Sequence, residues 1–313
     1  MSIVVVTGAS GFIGRRLCAA LRADARVRAV VRRGEVQGPW DEVVCADLAR
    51  TDLPPGAFDG ARAVFHFAGK AHAVSECQGD DDEYARVNVD GTRRVLEAAA
   101  AARVPRFVFA SSVKAMGEGD GGNEPATAYG RTKRDAEALV LRGGLVDEPV
   151  VVRPALVYGA GVEGNLGAML RAVASGRFPP PPRTANRRAM IHVDDVVRAS
   201  IAAASRAEPV GRALVLTDGV AYSTYDIYSA MRRALGRDDA RVALPAIAWR
   251  GLARAGDLAG LVLQRRAPFD STAYQKLFGS AWYEASDLRA LLGIQGMKSL
   301  DDALSEMVAG LRP

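Results

Sequence analysis

Short apolar segments alternate with longer amphipathic ones through the first half of the chain. Six apolar runs predict β-strands, at residues 3–6, 27–31, 42–45, 63–67, 107–111 and 150–153. Between them lie helical patterns such as residues 82–102, where Val87, Val95, Leu96 and Ala99 recur on one face. Strands that alternate with helices predict right-handed βαβ units and a parallel sheet, whose ligands bind at the carboxyl ends of the strands.

This alternation loosens after Pro154. Residues 177–188, "RFPPPPRTANRR", contain a run of prolines that removes backbone donors, and they predict a loop. A short strand "AMIHV", a helix from Asp194, a strand "ALVLTDG" and several helices follow. We therefore predict an α/β fold, with a Rossmann-type doubly wound parallel sheet in residues 1–160. Residues 161–313 are expected to form mainly a smaller α/β substrate lobe, with some segments returning to the sheet.

Composition narrows the class of protein. Of the 313 residues, 49% are hydrophobic and 25% are charged, which is ordinary for a globular protein. The net charge of +5 is dispersed, without a basic block of the kind that binds nucleic acid. No apolar run approaches the roughly 18 residues of a membrane span, and Cys18, Cys45 and Cys77 have neither metal-ligand nor disulfide spacing. We expect a cytoplasmic protein that holds no metal and has no nucleic-acid or membrane partner.

A glycine-rich turn stands between the first strand and the first helix. In "TGASGFIG", residues 7–14, three glycines follow the apolar run "IVVV" and precede a helical pattern. A bare backbone lets N–H groups approach a pyrophosphate, and the helix N-terminus adds partial positive charge. The strand-turn-helix context predicts that Gly8, Gly11 and Gly14 bind a dinucleotide.

The end of the second strand bears on the choice of dinucleotide. An acidic residue at this point would bind the ribose 2′-hydroxyl of NAD(H). This chain has Arg32 and Arg33 instead, and arginine suits the 2′-phosphate of NADP(H) through charge-assisted hydrogen bonds. We therefore favour NADP(H), with NAD(H) as the alternative.

Candidate acid–base residues lie further along, in "AYGRTK". If this segment is helical, Tyr129 and Lys133 share one face, because they are four residues apart. A neighbouring ammonium would lower the pKa of the phenol from about 10, so that Tyr129 could exchange a proton while a hydride moves. Upstream, "FVFASSV" ends a predicted strand, and Ser111 or Ser112 could hydrogen-bond the reacting oxygen. These residues and the glycine turn predict an oxidoreductase site.

Together these motifs resemble the extended short-chain dehydrogenase/reductase family, which contains nucleotide-sugar epimerases, dehydratases and reductases. The resemblance covers nearly the whole chain and is carried by "TGASGFIG", Asp47-Leu48, "FHFAG", "NVDGT", "FASSVKAMGE", "YGRTK", "VVRPALVYG" and "MIHVDDV". It implies Ser112 as the catalytic serine, Tyr129 as the acid–base group and Lys133 as its partner. The cofactor-binding residues expected from the turn, the second strand and the resemblance are Gly8, Ser10, Gly11, Phe12, Ile13, Gly14, Arg32, Asp47, Leu48, Phe67, Ala68, Gly69, Tyr129 and Lys133.

The resemblance also implies contacts with a nucleotide-diphosphate sugar. Asn165 in "GNLGAML" and Arg188 in "NRRAMIHV" stand where relatives bind the diphosphate, and His72 lies past a strand end, within reach of substrate. The substrate-binding residues expected are His72, Ser112, Lys114, Tyr129, Asn165 and Arg188. We interpret His66 and His192 as structural histidines in strands.

The two residues after the catalytic serine bear on the reaction. Sugar dehydratases of the family carry an Asp-Glu pair there, which supplies the second acid and base of water elimination, whereas this chain has Val113 and Lys114. "HVDDVVRAS", "LTDGVAYST" and "KLFGSAWYEASDLRALLG" resemble the branch of UDP-hexosamine 4-epimerases and 4-keto reductases. With no acid after the second strand, we favour a 4-keto reductase acting on a UDP-(6-deoxy)hexosamine.

Other reactions and functions remain open at this point. A UDP-hexose or UDP-hexosamine 4-epimerase would retain NAD, and a hydroxysteroid-type dehydrogenase would share the Ser-Tyr-Lys set without needing Asn165 or Arg188. A non-catalytic NADP sensor would share the glycine turn but would have no use for Ser112, Tyr129 and Lys133. The resemblance implies a homodimer.

Overall fold

The computed structural model describes residues 1–32, 34, 37–70, 81–117, 124–239, 243–263, 267 and 269–311. The chain divides into two compact units. The first contains Met1–Val157, Ile191–Asp218 and Tyr283–Met297, and the second contains Tyr158–Met190, Gly219–Trp282 and Lys298–Pro313. The chain first passes from one unit to the other after residue 157, whereas the sequence predicted a boundary after residue 160. Two later segments return to the first unit.

Strands and helices alternate along the first half of the chain. The elements up to the sixth strand are β1 (Ile3–Thr7), α1 (Phe12–Leu21), β2 (Arg26–Val31), β3 (Glu42–Cys45), β4 (Ala61–His66), α2 (Asp81–Tyr84), α3 (Gly91–Ala101), β5 (Arg106–Ala110), α4 (Ala128–Arg142) and β6 (Glu148–Pro154). A π-helical segment, Ala85–Asp90, joins α2 to α3, and a 3-10 turn, Val113–Met116, lies between β5 and α4. The single regular helix expected over residues 82–102 is therefore wrong, because a wider turn interrupts it.

Helices dominate the rest of the chain. Its elements are β7 (Leu156–Tyr158), α5 (Gly164–Ala174), β8 (Met190–His192), α6 (Val193–Ser205), β9 (Ala213–Leu216), α7 (Thr224–Ala234), α8 (Ala246–Leu263), α9 (Ser271–Phe278), α10 (Leu288–Leu292) and α11 (Leu300–Ala309). The proline-rich segment 177–188 forms no helix or strand, as its missing backbone donors predict. None of the helices in the described residues combines the length and the apolar character that crossing a bilayer requires.

A seven-stranded sheet organises the first unit. Its strand order is β3-β2-β1-β4-β5-β6-β9, and every neighbouring pair is parallel. The six predicted strands are present, with ends within two residues of those expected. The order reverses between β1 and β4, and such a switch point is where open α/β sheets bind their ligands. The Rossmann-type prediction is thus confirmed.

Alternating side chains of the strands build a hydrophobic core on each face of this sheet. Val4 and Val6 of β1 pack on one face with Leu17 of α1, whereas Val5 faces the other side and packs with Phe107. Both faces are buried because the βαβ connections cover both with helices. The second unit has its own core, which includes residues of α5, α7 and α11. The carboxyl edge of the sheet is therefore rigidly supported from both sides.

Candidate active site

The turn after β1 is built around glycines that leave no room for a side chain. Gly8 adopts φ +68°, and a Cβ atom on it would lie 2.6 Å from the backbone nitrogen of Ala68. A Cβ atom on Gly14 would lie 2.1 Å from the carbonyl oxygen of Gly8. No rotamer change can move these backbone neighbours. The two glycines thus allow α1 and the chain after β4 to approach the turn closely.

The start of α1 has the features of a phosphate cradle. Gly11 is the N-cap residue and provides no side-chain cap for the first N–H groups of the helix. A Cβ atom on Gly11 would contact only the carbonyl oxygen of Gly8, at 3.2 Å. Ser10 and Gly11 are exposed, and Phe12 and Ile13 are half-buried. An exposed helix N-terminus with open space beside it fits the phosphates of a dinucleotide.

Other predicted cofactor residues follow the strands beside β1. Arg32 is exposed immediately after β2, and Arg33 lies outside the described residues. After β3, Oδ1 of the half-buried Asp47 accepts a hydrogen bond from the backbone nitrogen of Ala49 at 3.1 Å, and Leu48 is buried. Because the strands are parallel, these residues share the carboxyl edge of the sheet with the glycine turn.

The chain leaving β4, through Phe67, Ala68 and Gly69, passes directly by the candidate catalytic lysine. A Cβ atom on Gly69 would lie 3.0 Å from Oδ1 of Asn88 and 3.1 Å from Nζ of Lys133. Glycine at this position therefore leaves space between the cofactor groove and the acid–base residues.

A directed chain of hydrogen bonds passes through His66 at the end of β4. The backbone nitrogen of Ala68 donates to Thr7 Oγ1 at 3.1 Å, and Thr7 Oγ1 lies 2.6 Å from Nδ1 of His66. On the other side of the ring, Nε2 lies 2.9 Å from Thr92 Oγ1, which donates its own proton to the carbonyl of Asn88. His66 therefore donates from Nε2. Burial lowers the pKa of His66 to about 3, so the ring is neutral and Nδ1 accepts from Thr7. The buried ring and its two threonine partners agree with the interpretation of His66 as a structural histidine.

Ser112 is the serine that lies against the candidate tyrosine. It caps the 3-10 turn after β5, where its Oγ accepts a hydrogen bond from the backbone nitrogen of Lys114 at 3.3 Å. The Ser112 hydroxyl also shares a hydrogen bond with the phenol of Tyr129. Ser111 is buried, and its hydroxyl has no hydrogen-bond partner in the described part of the chain. Of the two serines left open by the sequence, the geometry favours Ser112.

Helix α4 is held against the 3-10 turn by the residues on either side of Tyr129. Thr127 caps α4 by accepting a hydrogen bond from the backbone nitrogen of Gly130 at 3.1 Å. A Cβ atom on Gly130 would lie 2.6 Å from the carbonyl oxygen of Lys114. The glycine in "YGRTK" therefore lets α4 pack directly on the turn that carries Ser112.

Lys133 lies one helical turn after Tyr129 and is buried. Its Nζ donates to the carbonyl of Ala110 at 2.8 Å and lies 4.7 Å from the centroid of the Phe109 ring. Burial lowers the pKa of Lys133 to about 8, whereas the carboxylate of Glu137 acts in the opposite direction. The ammonium is thus fixed at the end of β5, beside the catalytic pair.

The pKa of Tyr129 is raised, whereas the sequence led us to expect a lowered value. Burial raises the pKa of Tyr129 to about 12, although the hydrogen bond with Ser112 lowers it, and the Tyr84 phenol raises it further. The ring of Tyr84 meets that of Tyr129 edge-on, with centroids 6.2 Å apart. Apolar surroundings disfavour a phenolate more than the nearby polar groups stabilise it, so the phenol is protonated at neutral pH.

Sequence reasoning missed Asn88 as a member of the site. This residue is buried in the π-helical segment, a type of insertion that is frequent at functional sites. Its Oδ1 accepts a hydrogen bond from the backbone nitrogen of Lys70 at 2.8 Å, and its Nδ2 donates to Thr132 Oγ1 at 3.1 Å. Asn88 thereby links the chain after β4 to α4 between Tyr129 and Lys133.

The ion pair between Glu137 and Arg153 was also missed. Arg153 Nε donates to Glu137 Oε1 at 2.8 Å, and Arg153 Nη2 donates to Glu137 Oε2 at 2.5 Å. Glu137 is buried and follows Lys133 by four residues. The four-residue spacing that relates Tyr129 to Lys133 leads next to Glu137, so the sequence offered a signal for this residue.

The other predicted substrate residues are divided between the two units. Asn165 is exposed in the first turn of α5, in the second unit. Arg188, also in the second unit, is half-buried; its backbone pairs with Tyr222, and its guanidinium donates to the carbonyl of Lys276. Lys114 is half-buried beside Ser112, and His72 lies outside the described residues. Within the first unit, the structure brings Lys114 together with Ser112 and Tyr129.

A parallel Rossmann sheet with a glycine cradle and a Ser-Tyr-Lys cluster defines an enzyme of the short-chain dehydrogenase/reductase class. Residues 4–216 match the family described as NAD dependent epimerase/dehydratase family. The chain belongs to this family.

Relatives of the chain differ in the substrates that their names state. The UDP-glucose 4-epimerase of Vibrio cholerae is 27% identical over 260 residues, which cover 77% of this chain and 78% of the relative. The 4-hydroxy-2-methyl-3-oxo-4-farnesyl-3,4-dihydroquinoline-1-oxide ketoreductase of Stigmatella aurantiaca is 31% identical over 281 residues, which cover 84% of this chain and 83% of the relative. Among solved structures, MoeE5 in complex with UDP-glucose and NAD has a TM-score of 0.75 and 26% identity, covering 98% of this chain and 97% of that chain.

Proposed function

We propose that the protein is an NADP(H)-dependent 4-keto reductase acting on a UDP-(6-deoxy)hexosamine. The observation that carries the proposal is the hydrogen-bonded pair of Ser112 and Tyr129, with Lys133 one turn away at the same edge of the sheet. Gly8, Gly11, Gly14 and Arg32 would hold the dinucleotide, which supplies the hydride when it is bound. We also propose that the protein is a cytoplasmic homodimer.

The roles of the three side chains follow from their positions. The Ser112 hydroxyl would hydrogen-bond the substrate carbonyl oxygen and hold it beside the phenol of Tyr129. As hydride reaches the carbon, the phenol donates its proton to that oxygen, and the ketone becomes an alcohol. The Lys133 ammonium, one turn further along α4, would stabilise the phenolate left behind by electrostatic attraction.

The phenol of Tyr129 is protonated at neutral pH, as the proton donor of a carbonyl reduction must be. An epimerase uses the same group in both directions, so the choice of a reductase rests on the absence of an acidic residue directly after β2. Water elimination is disfavoured by Val113 and Lys114, which occupy the positions of the Asp-Glu pair of dehydratases.

Two observations support a nucleotide-sugar substrate. UDP-glucose 4-epimerase of Vibrio cholerae and MoeE5, bound to UDP-glucose and NAD, are similar to the chain over most of its length. Arg188 and Asn165 carry donors that could bind a diphosphate. The bound NAD of MoeE5 keeps the epimerase with retained NAD as an alternative.

A ketoreductase that acts on an apolar carbonyl compound is the second candidate. The farnesylated-quinoline ketoreductase of Stigmatella aurantiaca is similar over 84% of the chain. In addition, the Arg188 guanidinium already donates to the Lys276 carbonyl, so it serves the protein's own fold. A substrate without a diphosphate would use the same Ser112 and Tyr129 chemistry.

One substrate panel separates these functions. The purified protein is mixed with NADPH or NADH and a UDP-4-keto-6-deoxyhexosamine, and oxidation of the cofactor is followed by absorbance. We expect stoichiometric cofactor oxidation and a reduced sugar by mass spectrometry. Interconversion of UDP-N-acetylglucosamine and UDP-N-acetylgalactosamine without added cofactor would instead identify an epimerase. Reduction of apolar ketones alone would favour the second candidate.

Arg32→Ala should weaken NADPH binding about 10- to 150-fold and leave NADH binding nearly unchanged, because a charge-assisted contact with the 2′-phosphate is lost. Fluorescence titration with both cofactors measures the difference. Arg62→Ala is the control, since Arg62 is exposed near the start of β4, at the opposite edge of the sheet. Equal losses of affinity for the two cofactors would show that Arg32 does not bind the 2′-phosphate.

Arg188→Ala should raise KM for the UDP-sugar by at least about tenfold and change kcat less, because the diphosphate binds alike in the ground and transition states. A free nucleoside diphosphate should inhibit wild type competitively, and more weakly as salt rises. Arg187→Ala is the matched control: Arg187 is exposed, and its guanidinium lies 4.4 Å from the centroid of the Trp282 ring. If the melting temperature falls while KM stays constant, the contact with Lys276 is purely structural.

A further inference from the structure

Helix α8 (Ala246–Leu263) carries a concentration of exposed aliphatic side chains. Among the described residues, eleven large hydrophobic side chains are exposed, and six of them lie in these 18 residues. These six, with their exposed fractions, are Ile247 (77%), Leu252 (49%), Leu258 (65%), Leu261 (78%), Val262 (79%) and Leu263 (66%). Single exposed aliphatic residues are ordinary, but a cluster of this kind marks an interaction surface.

The two faces of α8 are distinct. Trp249 and Ala253 are its buried residues, and the Trp249 ring packs against Phe269 and Phe278, with centroids 5.3 Å away in each case. At about 100° per residue, Ile247, Leu258, Leu261 and Val262 lie on the side of the helix opposite Trp249. These four exposed residues form a second apolar stripe, which we call the outer stripe, and the packing within the second unit does not use it. Leu252 and Leu263 lie nearer the Trp249 side of the helix.

The charges on the outer side of α8 are mainly basic. Arg250 and Arg254 are both exposed; on a helical projection Arg254 lies within the outer stripe and Arg250 lies at its edge, where its Nε donates to the Tyr274 hydroxyl at 3.3 Å. The carboxylate of the helix, Asp257, accepts hydrogen bonds from the backbone nitrogen of Ser271 at 3.0 Å and from its hydroxyl at 2.5 Å. An apolar stripe that carries exposed arginines is complementary to the headgroups and upper acyl chains of an anionic lipid layer, because the long arginine side chains can reach the headgroups.

We propose that the outer stripe of α8 docks the protein on an anionic membrane surface. The helix would lie in the plane of the interface, with its outer stripe toward the acyl chains. A second copy of the chain is the less suitable occupant, because it would cover the aliphatic residues without supplying the anionic groups that Arg250 and Arg254 fit. The proposal departs from the sequence-based expectation of no membrane partner, and it does not depend on the proposed reaction.

Flotation of the full-length protein with lipid vesicles tests this docking. We expect wild type to float with phosphatidylcholine–phosphatidylglycerol vesicles, and much less with phosphatidylcholine alone or at high salt. The double substitution Leu258→Gln and Leu261→Gln should weaken partitioning at least about tenfold, because two inserted aliphatic side chains are lost. Arg254→Glu should weaken binding to the anionic vesicles about fivefold or more.

Matched controls distinguish docking through the outer stripe from nonspecific hydrophobic adsorption and from unfolding. Val220→Gln removes a half-exposed aliphatic residue of the same unit outside α8 and should float as wild type does. Ile247→Gln, near the other end of the outer stripe, gives an independent variant if the double substitution lowers the melting temperature. Wild type that stays with the soluble fraction, or stripe variants that float normally, would overturn the proposal. So would a lipid-free dimer that the stripe substitutions convert to a monomer, because a second copy would then cover this face.

Discussion

Tyr129→Phe should lower kcat about 10²- to 10⁴-fold while leaving the fold and cofactor binding intact, because only the proton donor is removed. The phenylalanine ring keeps the edge-on contact with Tyr84, so the melting temperature should stay within a few degrees of wild type. Single-turnover reduction of the keto substrate, with cofactor affinity measured separately, checks the result. Activity within a few-fold of wild type would remove Tyr129 from the proposed chemistry.

The controls for this variant use the neighbouring groups. Tyr84→Phe deletes the phenol that adds to the raised pKa of Tyr129 but keeps the proton donor, so it should retain turnover within a few-fold. Ser112→Ala should be damaging but milder than Tyr129→Phe, and Ser111→Ala milder still, because Ser112 shares the hydrogen bond with Tyr129. A larger loss for Ser111→Ala would place the catalytic serine one residue earlier.

The pKa of Lys133 gives this reaction a predictable pH dependence. Its folded value, lowered to about 8, means that the ammonium is present below that pH and is lost as the pH rises through it. Because the ammonium stabilises the phenolate formed on Tyr129, the rate of reduction should be level near neutrality and fall above about pH 8. Lys133→Met should lower the rate and abolish this limb of the profile.

The sheet and the glycine turn could be predicted because their signals are local. Each strand is a short apolar run between turn residues, and the turn after β1 lies within eight consecutive residues. The spacing of Tyr129 and Lys133 is likewise a property of one helix. Their positions could therefore be derived without knowledge of the rest of the chain.

What the sequence could not predict depends on residues that meet only in the folded chain. The raised pKa of Tyr129 results from burial and from Tyr84, 45 residues earlier (129 minus 84). The contact of Arg188 with the Lys276 carbonyl joins positions 88 residues apart. The interruption of the helix at Ala85–Asp90 could not be predicted, because these six residues contain neither glycine nor proline. In the folded chain, the Asn88 side chain is held by the backbone of Lys70 and by Thr132 of α4.

Gly14→Ala should lower both stability and cofactor affinity, because the new methyl group has no space. Its Cβ atom would lie 2.1 Å from the carbonyl oxygen of Gly8 and 2.9 Å from the Cα atom of Ala9, so α1 must move away from the turn. We expect a loss of about 3 kcal/mol in the free energy of unfolding. Cofactor binding should weaken more than about 100-fold, since the moved helix no longer presents its N-terminus to the phosphates. Thermal unfolding and cofactor titration measure the two effects.

Gly11→Ala tests the role of the turn in cofactor binding separately from its role in packing. Its Cβ atom would contact only the carbonyl oxygen of Gly8, at 3.2 Å, so the melting temperature should change little. The same methyl group would stand at the exposed start of α1 and should still weaken cofactor binding, because the pyrophosphate must approach the backbone there. Gly251→Ala, in open space on α8, should stabilise the protein slightly and leave binding unchanged. If Gly11→Ala binds both cofactors as wild type does, the turn packs a helix on a strand and the phosphates lie elsewhere.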